Sequence, residues 1–129
     1  MRVLHSPASV EHDPASYFRR GRTIAHPETA ERYRVLRDAL ATAGFQLTEA
    51  SDHGRAPLNA VHAQDYLDFL AHAWDRRAEF DPAAEELLTT HFARPQMQRR
   101  PEGLLGLLGY YTADTSTPVR AGTWRAVYG

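Results

Sequence analysis

The sequence predicts an α/β layered fold that is incomplete within this chain. Three observations carry that expectation. Periodicity gives the order strand, helix, strand, helix along the first half, the pattern of alternating layers. Both long helical segments carry an apolar stripe that needs a sheet or another helix to cover it. Only two strands can be read with any clarity, too few for a stable sheet of their own. The stripes therefore call for partner strands that this sequence does not hold.

Arg2 to Ser6 reads as a short opening strand closed by Pro7. Residues 7 to 28 show no clean period, and a structureless loop of that length in a compact domain is expected to be functional or disordered, the aromatic pair Tyr17-Phe18 arguing against plain disorder. Thr29 is the expected N-cap of the first helix, with Glu31 in the dipole-favoured first turn. Tyr33, Leu36, Leu40 and Ala43 form its stripe, and Gly44 is a natural stop. Phe45 to Ala50 alternates apolar and polar residues and reads as the second strand. Ser51 to Pro57 is a turn-rich loop. Tyr66, Leu67, Leu70, Ala73 and Trp74 make the strongest stripe, expected to run to about Phe80. Asp81-Pro82 is expected to open a short helix over 83–88, and Arg94 to Pro101 a loop. The glycines at 103, 106 and 109 suggest a tightly packed turn. Gly122 to Tyr128 reads as the opening turns of a helix.

Composition bounds the function. The chain has 129 residues, 43% of them apolar, a formal charge of −1 and no cysteine. That length permits one domain with a modest core. The near-neutral balance gives no general field for nucleic acid or an anionic membrane, and the arginine clusters read as solvated faces or subunit contacts. No disulfide or thiolate metal site can form within the chain. No apolar run approaches a bilayer span, and the first residues lack the core of a signal peptide. The expected setting is cytoplasmic, without nucleic-acid or membrane partners.

The seven histidines invite a metal reading, but no pair has the spacing of a zincin helix and there is no His-x-His. His72 and Asp75 lie one turn apart, a common coincidence. His62 and Tyr66 are also one turn apart and read as structural, Tyr66 in the core and His62 bonding the preceding loop. Arg32 lies in line with Leu36 and Leu40 at helical spacing. It either snorkels to solvent or finds an acid or carbonyls inside, and spacing leaves both open. No phosphate-binding loop, dinucleotide fingerprint or nucleophile elbow is present.

Read together, the motifs carry a resemblance. They are Arg2-Val3-Leu4-His5-Ser6, His26-Pro27-Glu28-Thr29 running into Arg32-Tyr33-Arg34, Val61-His62-Ala63-Gln64-Asp65-Tyr66, Gly106-Leu107-Leu108-Gly109-Tyr110-Tyr111 and Ala121-Gly122-Thr123-Trp124. In this order the chain resembles the N-terminal third of the histone deacetylase superfamily, and most of all its acetylpolyamine amidohydrolase branch. The resemblance implies the arginase–deacetylase fold, three layers with a parallel sheet between helices. It implies a parent enzyme that hydrolyses acetyl-amine or acetyl-lysine amides with one zinc ion.

In the family an Asp-x-His pair and another Asp hold that zinc, and paired histidines move protons. This chain has no Gly-His-His and no Asp-x-His, so neither catalytic nor metal-binding residues are expected in it, and no bound cofactor. Residues 1–129 are expected to be the N-terminal segment of a deacetylase domain, truncated at the C-terminus and not competent alone. The resemblance places Tyr17, Phe18, His26, Glu28, Glu102 and Tyr110 at the substrate entrance and Arg32 in an internal channel. It implies a small acylated amine or acetyl-lysine as the parent's substrate, and a homodimer through the 12–28 loop. One departure stands out: where polyamine-specific members tend to place a carboxylate before Gly-x-x-Gly-Tyr-Tyr, this chain has Leu105. The alternatives are a non-catalytic binding module and a chain that pairs with a separate C-terminal half.

Overall fold

A computed structural model describes residues 1–97 and 99–128. Strand β1 (Val3–His5) pairs in parallel with β4 (Leu47–Glu49), Val3 opposite Leu47 and His5 opposite Glu49. Helix α1 (Ala30–Thr42) lies between them in sequence, so the two strands and the helix form one βαβ crossover. The α/β expectation and the parallel sheet therefore hold. The open edges of this pair are those of a two-stranded sheet.

Helix α1 ends as its sequence dictates. Gly44 takes φ +80, its N–H donates to Ala41 O, and the Phe45 N–H donates to Leu40 O. That pair of bonds closes the last carbonyls in a Schellman motif. The N-terminus is a correction. Thr29 occupies the N-cap position but makes no side-chain cap bond. Asp13 Oδ1 instead accepts from the Ala30 N–H at 2.7 Å, so the cap comes from a distant loop.

Residues 7–28 are not structureless. Pro7–Glu11 form a 3-10 turn. Strands β2 (Ser16–Arg19) and β3 (Arg22–Ala25) form an antiparallel hairpin. Arg20 at φ 50 and Gly21 at φ 78 make its two-residue turn, the left-handed pair that matches strand twist. The signal was there in Tyr17-Phe18 and Thr23-Ile24 around Arg20-Gly21, but arginine is a poor marker for a left-handed position.

After the short α2 (Ala56–Asn59), helix α3 covers Gln64–His72 and stops well before Phe80. The Arg77 N–H donates to Trp74 O and the Phe80 N–H to Arg77 O, so the chain tightens into a 3-10 turn at Arg77–Glu79. Arg76 holds both oxygens of Glu79 and the carbonyl of Glu102, tying this turn to the next helix. No helix forms over 83–88. Leu87 exchanges both backbone bonds with Val119, at 2.8 and 2.9 Å, and a residue bonded across a bridge cannot join a local helix.

The glycine-spaced segment is helix α4 (Leu104–Tyr111), not a turn. Its tight packing is real. A Cβ on Gly109 would lie 2.1 Å from His91 O, and one on Gly106 2.6 Å from the Pro101 side chain. The core lies here: Phe69, Ala73, Leu87, Leu104, Leu107, Leu108 and Val119 are all buried. Helix α5 (Thr123–Tyr128) forms as expected. It packs on the first 3-10 turn, where a Cβ on Gly122 would lie 2.0 Å from Glu11 O.

Candidate functional site

The segment expected at the entrance is anchored by side chains from three directions. His26 is buried. Its Nδ1 accepts from the Glu28 N–H at 3.1 Å and its Nε2 donates to Ser116 O at 2.9 Å. Those two partners make Nδ1 the accepting and Nε2 the donating nitrogen of the ring. Tyr17 meets the His26 ring edge-on, centroids 5.2 Å apart. Phe18 is largely exposed, and its carbonyl accepts from Thr115 Oγ1. The hairpin thus leans on the 114–117 loop, which Asp114 organises by accepting from the Ser116 N–H, Ser116 Oγ and Thr117 Oγ1. Those bonds hold the Asp114 carboxyl below the usual range.

His12 is a residue that sequence reasoning missed. Its Nδ1 is 3.0 Å from Thr123 Oγ1 at the start of α5, while Thr123 Oγ1 accepts from the Arg120 N–H. Burial lowers the His12 pKa below the ordinary imidazole value, and His26 and Arg120 push the same way against Glu86 and Asp13. Glu86 accepts from the Ala15 N–H at 2.8 Å and sits 3.6 Å from Arg120. These ties join residues up to 111 apart in sequence, and no local pattern announces them.

His12 and Thr123 also border an apolar hollow of about 370 Å³, with Tyr66, Phe69, Tyr111 and Val127 among its walls. Tyr111 is its best-tethered wall. Its hydroxyl donates to Asp65 Oδ2 at 2.6 Å and accepts from Arg100 Nε at 2.7 Å. Its ring stacks on Phe69, centroids 4.9 Å apart. Burial raises the Tyr111 pKa, and the hydroxyl's bond lowers that of Asp65. Tyr66 packs against the core from its edge, and exposed His62 lies against its ring at 5.5 Å.

The remaining expected residues fall elsewhere. Glu28, just before α1, pairs with Arg32 on the helix's exposed first turn, so within this chain Arg32 takes an acid at the surface rather than an interior partner. Glu102 is exposed before α4, with Arg99 3.8 Å away. Tyr110 stands on α4 beside a second hollow of about 300 Å³ with Leu105, Met97 and Phe92. The structure therefore gathers Tyr17, Phe18, His26, Glu28 and Arg32 around the hairpin and α1, and places Glu102 and Tyr110 with α4.

Among the described residues no group of three or more His, Cys, Asp or Glu could hold a metal ion. His72 shows why: its Nδ1 is taken up by the Asp68 carbonyl at 2.8 Å. The donors present do not fit a zinc ion, and no catalytic step is assigned to them. No helix among the described residues is long and apolar enough to cross a membrane.

No protein-family model matches the chain. It is 37% identical to an acetylpolyamine amidohydrolase of Burkholderia pseudomallei over 131 residues, 99% of this chain and 37% of that protein. It is 42% identical to acetylpolyamine amidohydrolase 1 of Pseudomonas aeruginosa over 80 residues, 60% of this chain and 23% of that protein. A crystal structure of acetylpolyamine aminohydrolase from Burkholderia pseudomallei, from an iodide soak, superposes with a TM-score of 0.83 at 35% identity. That match covers 99% of this chain and 37% of the other. The chain thus spans only 23% to 37% of the length of these relatives. Along nearly its whole length it is homologous to a stretch of the acetylpolyamine amidohydrolases, within the histone deacetylase superfamily.

Proposed function

We propose that this chain is the N-terminal part of a zinc-dependent amide hydrolase acting on small acylated amines, and that it supplies entrance and wall rather than the reacting groups. The observation that carries this reading is the 37% identity along 99% of the chain to a named amidohydrolase almost three times as long. The parent's zinc would be held by residues outside this chain, since its own acids and histidines are scattered or engaged. Bound there, zinc would polarise the amide carbonyl and activate water.

The entrance reading rests on the hairpin. Residues 12–28 are braced from below by His12, Asp13 and His26 and carry exposed Phe18 outward. On this reading the same loop is the dimer contact, and Arg32 turns toward an internal channel when the rest of the enzyme covers α1. Leu105 lines the hollow beside Tyr110 where an acid would attract a polyamine. A rim without that acid selects less strongly for cationic substrates, which leaves acetyl-lysine compounds within range. The parent is expected to work in the cytoplasm.

The test compares two proteins with added zinc, using an acetylated polyamine and an acetyl-lysine peptide. The 129-residue chain alone is expected to show no turnover and no stoichiometric zinc. A chimera joining it to the remaining two-thirds of the Burkholderia relative is expected to recover both. Turnover by the chain alone, or a folded zinc-loaded chimera without activity, would overturn the proposal.

One observation favours the second reading, a stand-alone module. Helices α3 and α4 and the Leu87–Val119 bridge close a core from this chain's own residues. That reading predicts cooperative melting of the isolated monomer.

A further inference from the structure

Nine ion pairs among the described residues join an arginine to a carboxylate, from Arg32 near the start of α1 to Arg125 in α5. None of them involves the β2–β3 hairpin. Arg19 donates only weakly, to the Tyr17 hydroxyl at 3.4 Å. Residues 16–25 contain three arginines and no acid, in a chain whose net charge is −1. Charge is therefore concentrated at the hairpin rather than spread evenly.

The geometry makes that concentration costly. The register sets Arg19 directly opposite Arg22, and like charges on opposed positions destabilise a strand pair. Arg20 occupies the turn at φ 50, the left-handed region that Gly or Asn takes most cheaply. Neither choice serves the hairpin itself. Arg19, Arg20 and Arg22, with Ile24, line one open hollow of about 440 Å³.

We propose that this hairpin tip is a binding site for a phosphate-bearing anion, gripped by Arg19 and Arg22 from opposite strands and by Arg20 from the turn. A carboxylate offers two oxygens and satisfies a single guanidinium fork. A phosphate group offers three terminal oxygens and close to two charges, enough to bridge two or three forks at once. It would also offset the opposition of Arg19 and Arg22. The site lies at the tip of the hairpin that the amide-hydrolase reading places at the entrance, but phosphate binding needs only residues of this chain and no reacting amide, so the two readings fail separately.

The experiment titrates the 129-residue chain with inorganic phosphate at constant ionic strength, following the arginine side-chain N–H signals by NMR, with chloride as the reference anion. The Arg19, Arg20 and Arg22 signals are expected to shift with phosphate and not with chloride. Arg19→Gln should weaken phosphate binding by roughly tenfold, the scale of one lost charge-assisted contact. Arg20→Gly should weaken it as well while easing the turn, so that loss of the fold cannot explain the result. Arg34→Gln, on the exposed face of α1, should leave it unchanged. Phosphatidylcholine vesicles with and without a phosphoinositide then separate the sources. Binding of free phosphate alone assigns a soluble phosphate compound, and binding of phosphoinositide vesicles as well assigns a lipid headgroup. Equal shifts with phosphate and chloride would overturn the proposal. So would unchanged phosphate affinity in Arg19→Gln and Arg20→Gly.

Discussion

Two apolar surfaces of this chain meet different fates. Around α3 and α4, Leu67, Leu104, Leu107 and Leu108 are at most 2% exposed. On the βαβ unit, Leu4, Val35 and Leu36 are each more than half exposed, and a groove of about 300 Å³ runs between α1 and β1. Helices α1 and α3 both carry an apolar stripe, the stronger on α3, and only that of α3 has a second layer to cover it. Burial is thus a property of the neighbours an element has, and a stripe records only what the element needs. The open surface belongs to the unit with two strands.

The sharpest way to test this contrast is to remove volume from the closed side. Leu108 is fully buried at the centre of the cluster. Leu108→Ala should destabilise the chain by about 2–5 kcal/mol, the cost of a cavity in a filled core. Urea denaturation gives the value. A loss below about 1 kcal/mol would mean that this side is as loosely covered as the other.

Adding volume tests the close approaches. A Cβ on Gly122 would fall 2.0 Å from Glu11 O, so Gly122→Ala forces α5 away from the first 3-10 turn. About 1–3 kcal/mol should be lost, along with the 3.0 Å contact between His12 and Thr123. Gly122→Ala melting like wild type would show that α5 is not seated there.

These cases show what was legible in the sequence. The βαβ crossover, the Gly44 stop and the start of α5 could be read because each is fixed within a few residues by period, cap or glycine. The hairpin was hidden by its Arg20-Gly21 turn. The 83–88 segment was misread because Leu87 answers to Val119 rather than to its neighbours. The spacing of Gly106 and Gly109 showed a close approach, but not that His91 and Pro101 make it. The 12–28 segment was legible as a region between strand and helix while its anchors were not, since His12, Asp13 and His26 bond to partners far along the chain or in another element.

Asp13 offers a smaller effect on the boundary between the two regions. Its carboxylate caps α1 from outside the helix, so Asp13→Ala should cost about 1 kcal/mol. Amide exchange at the first turn of α1 should speed up first. Equal loss from Thr29→Ala would return the cap to the position the sequence suggested.

Acid should act in two windows. His12 has a lowered folded pKa, so it is neutral in the fold, and its contribution is complete above the unfolded value near 6.5. That contribution falls as pH drops from there toward the lower folded value. Asp65, Asp68, Glu79 and Asp114 are also lowered, by Tyr111, Arg55, Arg76 and Ser116 in turn. Their share is complete above the ordinary carboxylate range near 4 and is lost as pH falls through their lower folded values. The melting temperature should decline gently below pH 6.5 and more steeply below about 4. His12→Asn should flatten only the first decline, and an unaltered slope there would remove His12 from the account.

The smallest expected effect is the most discriminating. Leu36 is 53% exposed on the open stripe of α1, and leucine and glutamine have similar helix propensity. In this chain Leu36→Gln should change stability by no more than about 0.5 kcal/mol. The same substitution in the chimera with the rest of the Burkholderia relative should cost more, because there the groove between α1 and β1 acquires a cover and the leucine is desolvated. A cost of about 2 kcal/mol in the isolated chain would mean that the stripe is already buried, by a second copy or by a repacked sheet. Equal and negligible costs in both proteins would mean that nothing covers α1 even in the longer protein. The contrast between the two surfaces would then belong to this fold rather than to the portion of it present here.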